Sequence, residues 1–422
     1  MRGLLGTGAI YTGANVLAAA VPFLLLPILT RALEPEEYGQ VVLFLMLVTM
    51  CSSVSGLSVH SAVAVRWLDT ERGDPRRYTG SALLVALLSM AGTAVVMGVV
   101  AAAFDIGLTV SLSALAAVVA AAAVIQGTRF AVWQCSNRPW PAATLQVSAA
   151  VLNISLSLFA VFALHQGALG RILGAAIASI SIAALSIYLL ARDGSAGKPA
   201  KGDVRGLLRF GLPLVPHALA SALLFSADRF AVSTTHGAAA LGIYGSAYQI
   251  GAVINVLGDA VIKTYSPTMY RMLSRRSIRQ DLRVVAITYL SIPIWLCGAV
   301  LLWVAFKIAA PLLLGESYQN AIDLSLWFLL GGACSAVYLN IAGLFFFTGK
   351  TEWLSAATVA SAAFAWIVAF PAVAYFGVKG GAVAYLATQA ALLAAAWRLS
   401  RVVHPMPWAR PVLAMRVLLH RV

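Results

Sequence analysis

Twelve runs of about twenty or more predominantly apolar residues follow one another along this chain, and no other feature restricts its fold as much. A helix rises about 1.5 Å per residue, so each run is long enough to cross a hydrocarbon core of about 30 Å. Lipid offers no hydrogen bonds, so a run of this length satisfies its backbone only as a helix. The runs lie at 8–30, 40–64, 79–103, 108–128, 142–164 and 168–190, then at 211–233, 240–262, 285–309, 322–347, 354–376 and 380–397. Only Asp105 and Gly107 mark a turn between the third and fourth. Of the residues, 61% are hydrophobic and 10% charged, where a soluble domain carries roughly a quarter charged. The predicted class is therefore all-α and transmembrane, and an ordinary soluble enzyme is excluded.

The charges assign an orientation. Lys and Arg number 29 against 15 Asp and Glu, a net charge of +14. A nucleic-acid binder gathers basic residues on a folded soluble surface, whereas these sit in short loops between apolar blocks, so no nucleic-acid partner is expected. The N-terminus, the even-numbered loops and the C-terminal tail hold 24 of the 29. The odd-numbered loops hold Arg31, Lys307 and Lys379. Basic loops stay in the cytoplasm, which predicts an even number of spans with both termini inside. The basic loops at 72–77 and 271–283 also suit anionic headgroups, making membrane lipids expected partners. Ala18-Ala19-Ala20 imitates a signal-peptidase site, but the apolar run continues from Pro22 to Leu29, so the segment reads as an uncleaved helix. Cys51, Cys135, Cys297 and Cys334 show neither a metal spacing nor a disulfide framework.

The chain repeats itself. Tyr38-Gly39 opens the second segment and Tyr244-Gly245 the eighth, while the first and seventh each carry two prolines, Pro22 and Pro27, then Pro213 and Pro216. Six spans per half insert in the same orientation, which predicts two six-helix bundles related by a pseudo-twofold axis along the membrane normal. The division read from the sequence is an N-terminal lobe at 1–190, a cytoplasmic linker at 191–208, a C-terminal lobe at 209–398 and a basic tail at 399–422. The tail is long enough for one short surface helix.

No constellation of acids, bases or nucleophiles signals an enzyme, and neither a P-loop nor HExxH is present. The informative residues are charges within apolar segments, because an unpaired charge at the bilayer centre costs roughly 2.5–3.5 kcal/mol. They are Asp228, Arg229 and Asp259, with Arg129 and Arg171 nearer the ends. Adjacent residues lie about 100° apart on a helix, so Asp228 and Arg229 cannot both be spared lipid unless one faces a polar interior. In one reading Arg229 lines a water-filled cavity and attracts a substrate phosphate, while Asp228 or Asp259 orients it or binds a coupling cation. In the other the charges are a packing ion pair, or Arg229 reaches for the outer interface. Arg171, at a helix start, is expected to snorkel to the outer face rather than to bind substrate. His60 and His217 could carry coupling protons, though hydrogen-bonded packing explains them more simply. Pro213 and Pro216 remove backbone donors and mark either a hinge or a tolerated helix start.

These residues carry a resemblance. Arg209-Phe210-Gly211-Leu212-Pro213-Leu214-Val215-Pro216-His217, then Ser226-Ala227-Asp228-Arg229-Phe230 and Leu241-Gly242-Ile243-Tyr244, is similar to the seventh-helix region of bacterial polysaccharide biosynthesis flippases. These are the O-antigen and related lipid-linked oligosaccharide flippases of the multidrug/oligosaccharidyl-lipid/polysaccharide exporter superfamily. Leu33-Glu34-Pro35-Glu36-Glu37-Tyr38-Gly39 and Leu169-Gly170-Arg171-Ile172-Leu173-Gly174 support it, and the likeness covers nearly the whole chain. It implies two bundles around a central cavity in the inner membrane, alternating access, and transfer of an undecaprenyl-diphosphate-linked glycan to the outer leaflet. It implies substrate contacts for Arg229, Asp228 and Arg171, and proton or sodium coupling, for which Asp228, Asp259 and His217 are the candidates. No cofactor is implied; a polysaccharide polymerase is a conceivable partner. A drug or small-molecule efflux transporter and a membrane enzyme of polysaccharide assembly, a polymerase or glycosyltransferase, are the alternatives. Twelve spans rather than the fourteen usual in cell-wall lipid flippases argue against that cargo.

Overall fold

A computed structural model describes residues 2–69, 73–104 and 107–419; Arg72 and Asp105 lie outside them. The helices are α1 (Arg2–Ala32), α2 (Pro35–Val54), α3 (Val59–Leu68), α4 (Pro75–Ala103), α5 (Val110–Cys135), α6 (Pro139–Leu158) and α7 (Gly167–Arg192). They continue as α8 (Lys201–Gly211), α9 (Val215–Leu224), α10 (Ala227–Ser274), α11 (Ile278–Leu313), α12 (Ala321–Thr348), α13 (Thr351–Val403) and α14 (Pro411–Leu419). Several starts are written in the sequence. Glu34 and Glu37 form a capping box around Pro35 at the head of α2, and Asp74 accepts the Arg76 N–H at 2.9 Å beside Pro75 at the head of α4. In both, proline occupies a position whose N–H has no helical partner.

Among the described residues ten stretches are long and apolar enough to cross a membrane. Two of them are not single spans. Straight helices of 48 and 53 residues would be about 72 and 80 Å long, more than twice a hydrocarbon core. Each reverses at one glycine, α10 at Gly237 (φ 81°, ψ −177°) and α13 at Gly377 (φ 63°, ψ −153°). A side chain is strained in that region of backbone space, which is why glycine stands there. Residues 201–236 make span seven and 238–274 span eight, while 351–376 and 378–403 are spans eleven and twelve. Counting the stretch Lys201–Leu224 together with the first part of α10 as one span, and adding α1 with its shorter apolar stretch Ala20–Ala32, gives the predicted twelve among the described residues.

Span two departs from expectation. It breaks between α2 and α3, where Leu57 and Ser58 both take left-handed backbone (φ 45° and 51°). Close packing holds the break: a Cβ on Gly211 would come within 2.2 Å of the Leu57 carbonyl oxygen.

Packing divides the chain into two compact units, Met1–Leu223 and Leu224–Val422. The first has a core that includes Val63, Tyr78, Ile125, Val132, Leu190 and Leu207. The second is organised around α12, which packs on α10, α11 and α13, and has a core that includes Met269, Val285, Phe345 and Trp408. The sequence placed the boundary at 209. The packing places it later, because α8 is docked rather than free: its buried Asp203 accepts from Arg77 at 2.8 Å and lies 4.0 Å from Arg66. The tail likewise is partly built in, with Trp408 and Ala414 buried against the second unit.

Candidate functional site

The strongest concentration of unusual side chains lies in the second unit, below the reversal at Gly237. Tyr244 Oη donates to Asp228 Oδ2 at 2.5 Å across a separation of 16 residues. Along a straight helix those residues would be about 24 Å apart, so the bond exists only because the glycine folds the chain back. Asp228 is 4% exposed, and its second oxygen, Oδ1, is buried without a partner. Arg229 takes a different direction. Its guanidinium carbon stands 3.6 Å from the centroid of the Tyr248 ring, and its Nε and Nη2 are buried with no acceptor. Tyr244 and Tyr248 share one helical face at i, i+4, so adjacent positions on span seven meet successive turns of span eight.

Aromatic rings close the site. Phe328 of α12 meets Tyr244 edge-on at 5.0 Å and Tyr248 at 5.5 Å, and Tyr385 of α13 lies 5.2 Å from Phe328 and 6.0 Å from Tyr248. Such tilted and edge-to-face arrangements are the favourable ones for aromatic quadrupoles. Asn255 and Gln389 are the polar side chains close enough to Tyr385 to interact with its hydroxyl on the far side of the cluster. Missing side chains make the room: a Cβ on Gly251 would fall 2.2 Å from Phe328 Cβ, and one on Gly331 2.5 Å from Tyr385 Cε1. Among the described residues neither charge forms an interhelical ion pair, although Asp228 and Arg229 are close enough to interact electrostatically. The carboxylate is held by a phenol, and the guanidinium lies on another ring with part of its hydrogen-bonding edge open.

The remaining sequence candidates fall elsewhere. Asp259 is 54% exposed and pairs with Lys263 at 2.5 Å one turn on. It stands fifteen residues beyond Tyr244 on span eight, about 22 Å along the axis, so it is not part of the Asp228 cluster. His217 belongs to the first unit, its Nδ1 buried without a partner. Pro213 lies in a short 3-10 segment, Leu212–Leu214, that separates α8 from α9, and Pro216 opens α9. His60 is exposed.

Arg171 corrects the snorkelling expectation. It is 6% exposed and donates to Asn153 Oδ1 at 3.1 Å and Ser157 Oγ at 2.9 Å, both on α6. Polar partners on the neighbouring helix supply what the headgroup region was expected to supply. Tyr38 is close enough to interact with it electrostatically. Each unit thus keeps a buried charge beside the tyrosine that opens the second span of its repeat, an arginine in one and an aspartate in the other. Arg129 is similarly interior, 1% exposed, paired with Asp193 and stacked 3.9 Å over Trp133.

Sequence reasoning missed Tyr248, Phe328, Tyr385, Asn255 and Gln389. In the sequence Tyr244 is legible only as part of the repeated Tyr-Gly pair and of the family resemblance. The i, i+4 spacing of Tyr244 and Tyr248 and of Tyr385 and Gln389 was the available signal.

The arrangement belongs to a recognisable fold class. The chain superposes on an inward-facing multidrug resistance MATE family transporter of the MOP superfamily with a TM-score of 0.74, at 16% identity and covering 91% of this chain and 94% of that one. An outward-facing MATE family transporter matches with a TM-score of 0.61, at 17% identity over 94% and 95% of the two chains. The protein is a multi-pass membrane protein with this transporter fold. Within that class it belongs to the polysaccharide biosynthesis protein family, whose profile matches residues 4–273. Curated relatives include a protein of the Lsg locus of Haemophilus influenzae, 24% identical over 365 residues, covering 83% of this chain and 87% of the relative. An uncharacterised membrane protein of the same organism is 26% identical over 381 residues, covering 85% and 87%.

Proposed function

We propose that this protein moves a polyprenyl-diphosphate-linked oligosaccharide from the cytoplasmic to the outer leaflet of a bacterial inner membrane, with both termini in the cytoplasm, for surface polysaccharide assembly. A polysaccharide polymerase on the outer side is the partner this reading calls for. Membership of a polysaccharide biosynthesis family supports this reading, and Arg229 is the observation that carries the mechanism. A guanidinium at membrane depth with Nε and Nη2 open is a donor pair that suits phosphate oxygens. Diphosphate and sugars cannot enter hydrocarbon without such compensation, while the polyprenyl chain can stay in lipid. Asp228, with Oδ1 unpartnered, is the group on which a proton or sodium ion would act to change the local charge during a cycle. Efflux of a cationic drug fits less well, because the Tyr248 ring face that would attract a cation is already covered by Arg229.

The test is transfer of a labelled polyprenyl-diphosphate glycan in proteoliposomes. Arg229→Ala should lower the rate by about tenfold or more, the scale of one lost charge-assisted hydrogen bond. Arg229→Lys should recover part of it, since lysine keeps the charge but not the fork. Wild-type flipping by a folded Arg229→Ala protein refutes the role, and normal glycan export in a strain lacking the protein refutes the function.

A further inference from the structure

We infer that the second unit carries a slot for an anionic phospholipid at its basic end, separate from the Arg229 cluster. A cavity of about 260 Å³ lies between α11, α12, the last span of α13 and the tail before α14, with Tyr289, Ile341, Leu393, Trp397 and Trp408 among its walls. It shares Ala394 and Trp397 with a second hollow of about 420 Å³ whose other walls are Ala395, Arg398 and Arg401. Ala390, Ala394, Trp397 and Arg401 recur at helical spacing, so one stripe of the last span runs from apolar to basic. By the charge rule the basic end faces the cytoplasm.

Three observations select a lipid. The polarity gradient along the stripe is that of an amphiphile, with its chain deep and its charge at headgroup level. Trp408 is 4% exposed, and its Nε1–H is buried with no acceptor, although its carbonyl accepts the Tyr289 hydroxyl at 2.8 Å. A buried donor left open is costly, and an ester carbonyl at the inner edge of the headgroup region supplies the acceptor. The Arg401 guanidinium rests 4.4 Å from the Trp397 ring, so the cation is placed at the mouth of the slot with its in-plane N–H groups left to meet a phosphate. Free phosphate would account for the arginines but not for the apolar slot. An uncharged lipid would account for the slot but not for the arginines.

Native mass spectrometry of the delipidated full-length protein, titrated with phosphatidylglycerol and phosphatidylcholine of matched chain length, tests the assignment. The wild type should prefer phosphatidylglycerol by about thirtyfold, the scale expected of two basic residues at an anionic headgroup. The double variant R398Q/R401Q should bring the two lipids within about twofold of each other. Both residues are exposed, so folding is not at stake. Ala394→Phe, which fills the shared wall, should weaken both lipids. Arg229→Ala should leave the preference intact, so this slot stands or falls apart from the flippase reading. Equal binding of the two lipids by wild type, an undiminished preference in R398Q/R401Q, or unchanged binding by Ala394→Phe overturns the proposal. Full displacement of phosphatidylglycerol by inorganic phosphate also overturns it, in favour of a simple anion site. Tighter binding of polyprenyl phosphate at the same slot overturns it in favour of the transported lipid.

Discussion

Replacing Tyr244 with phenylalanine removes one oxygen and keeps the ring against Phe328, so the variant isolates the bond to Asp228. That bond is 2.5 Å long and buried, with a carboxylate acceptor. Hydrogen bonds to charged groups contribute about 1.5–3 kcal/mol in soluble proteins. Within membrane bundles the average for polar interhelical contacts is about 0.6 kcal/mol and the largest about 1.7, because the unfolded helices also find partners. The two ranges overlap near 1.5 kcal/mol, slightly more than a tenfold change in the folding equilibrium. Asp228→Ala, which leaves the phenol no acceptor, and the double variant complete a cycle that separates the bond from the general cost of altering either site. Reversible unfolding in mixed micelles is the assay, and the expected coupling is about 1.5 kcal/mol. A coupling below about 0.5 kcal/mol would refute the reasoning: Asp228 would then be held by something other than the phenol, and the reversal at Gly237 would have no energetic partner beneath it.

Other outcomes follow from the same packing. In the first unit Asp193→Ala should destabilise more than Arg129→Ala, by about 3–5 against about 1–2 kcal/mol in the same unfolding assay. The first strands a guanidinium that is 1% exposed, whereas the second leaves a carboxylate that is 34% exposed and can hydrate; equal losses would count against that asymmetry. Gly237→Ala should cost about 1–3 kcal/mol through its backbone conformation alone, since a Cβ there meets nothing within 4 Å. Gly298→Ala in α11, equally uncrowded but in ordinary helical conformation, should be neutral or stabilising by up to about 1 kcal/mol. In intact cells a membrane-impermeant maleimide should label His236→Cys, and should label Arg275→Cys only after permeabilisation; the opposite pattern would invert the assigned topology.

The span count was readable because two independent signals agreed. Apolar length gave twelve segments, and the basic residues fell almost entirely on alternate loops. Asp228 and Arg229 were visible for a simple reason, that charge inside an apolar run has to be compensated. What compensates it could not be read. Phe328 and Tyr385 are ordinary constituents of apolar helices, and their convergence on Tyr248 depends on three helices approaching to distances that Gly251 and Gly331 permit. Arg171 shows the opposite error. Its position near a helix end suggested escape to water, but Asn153 and Ser157, unremarkable in a sequence, offered acceptors at closer range. The break in span two had no signal beyond Gly56, because Leu57 and Ser58 rarely take left-handed backbone.

The single-residue turns at Gly237 and Gly377 constrain how the second unit can move. Two helices joined by a long loop can shift past each other along their axes, taking up slack in the connection. Here the connection has no slack. Within the second unit, residues 227–236 and 238–274 of α10, and 351–376 and 378–403 of α13, are each joined through one residue, so axial sliding is blocked while pivoting at the glycine is not. A small rotation at either glycine would become a larger lateral displacement at the far end of the helix pair it joins. The Tyr244 bond to Asp228, about two turns from Gly237, is where the first of these pairs would open or stay shut.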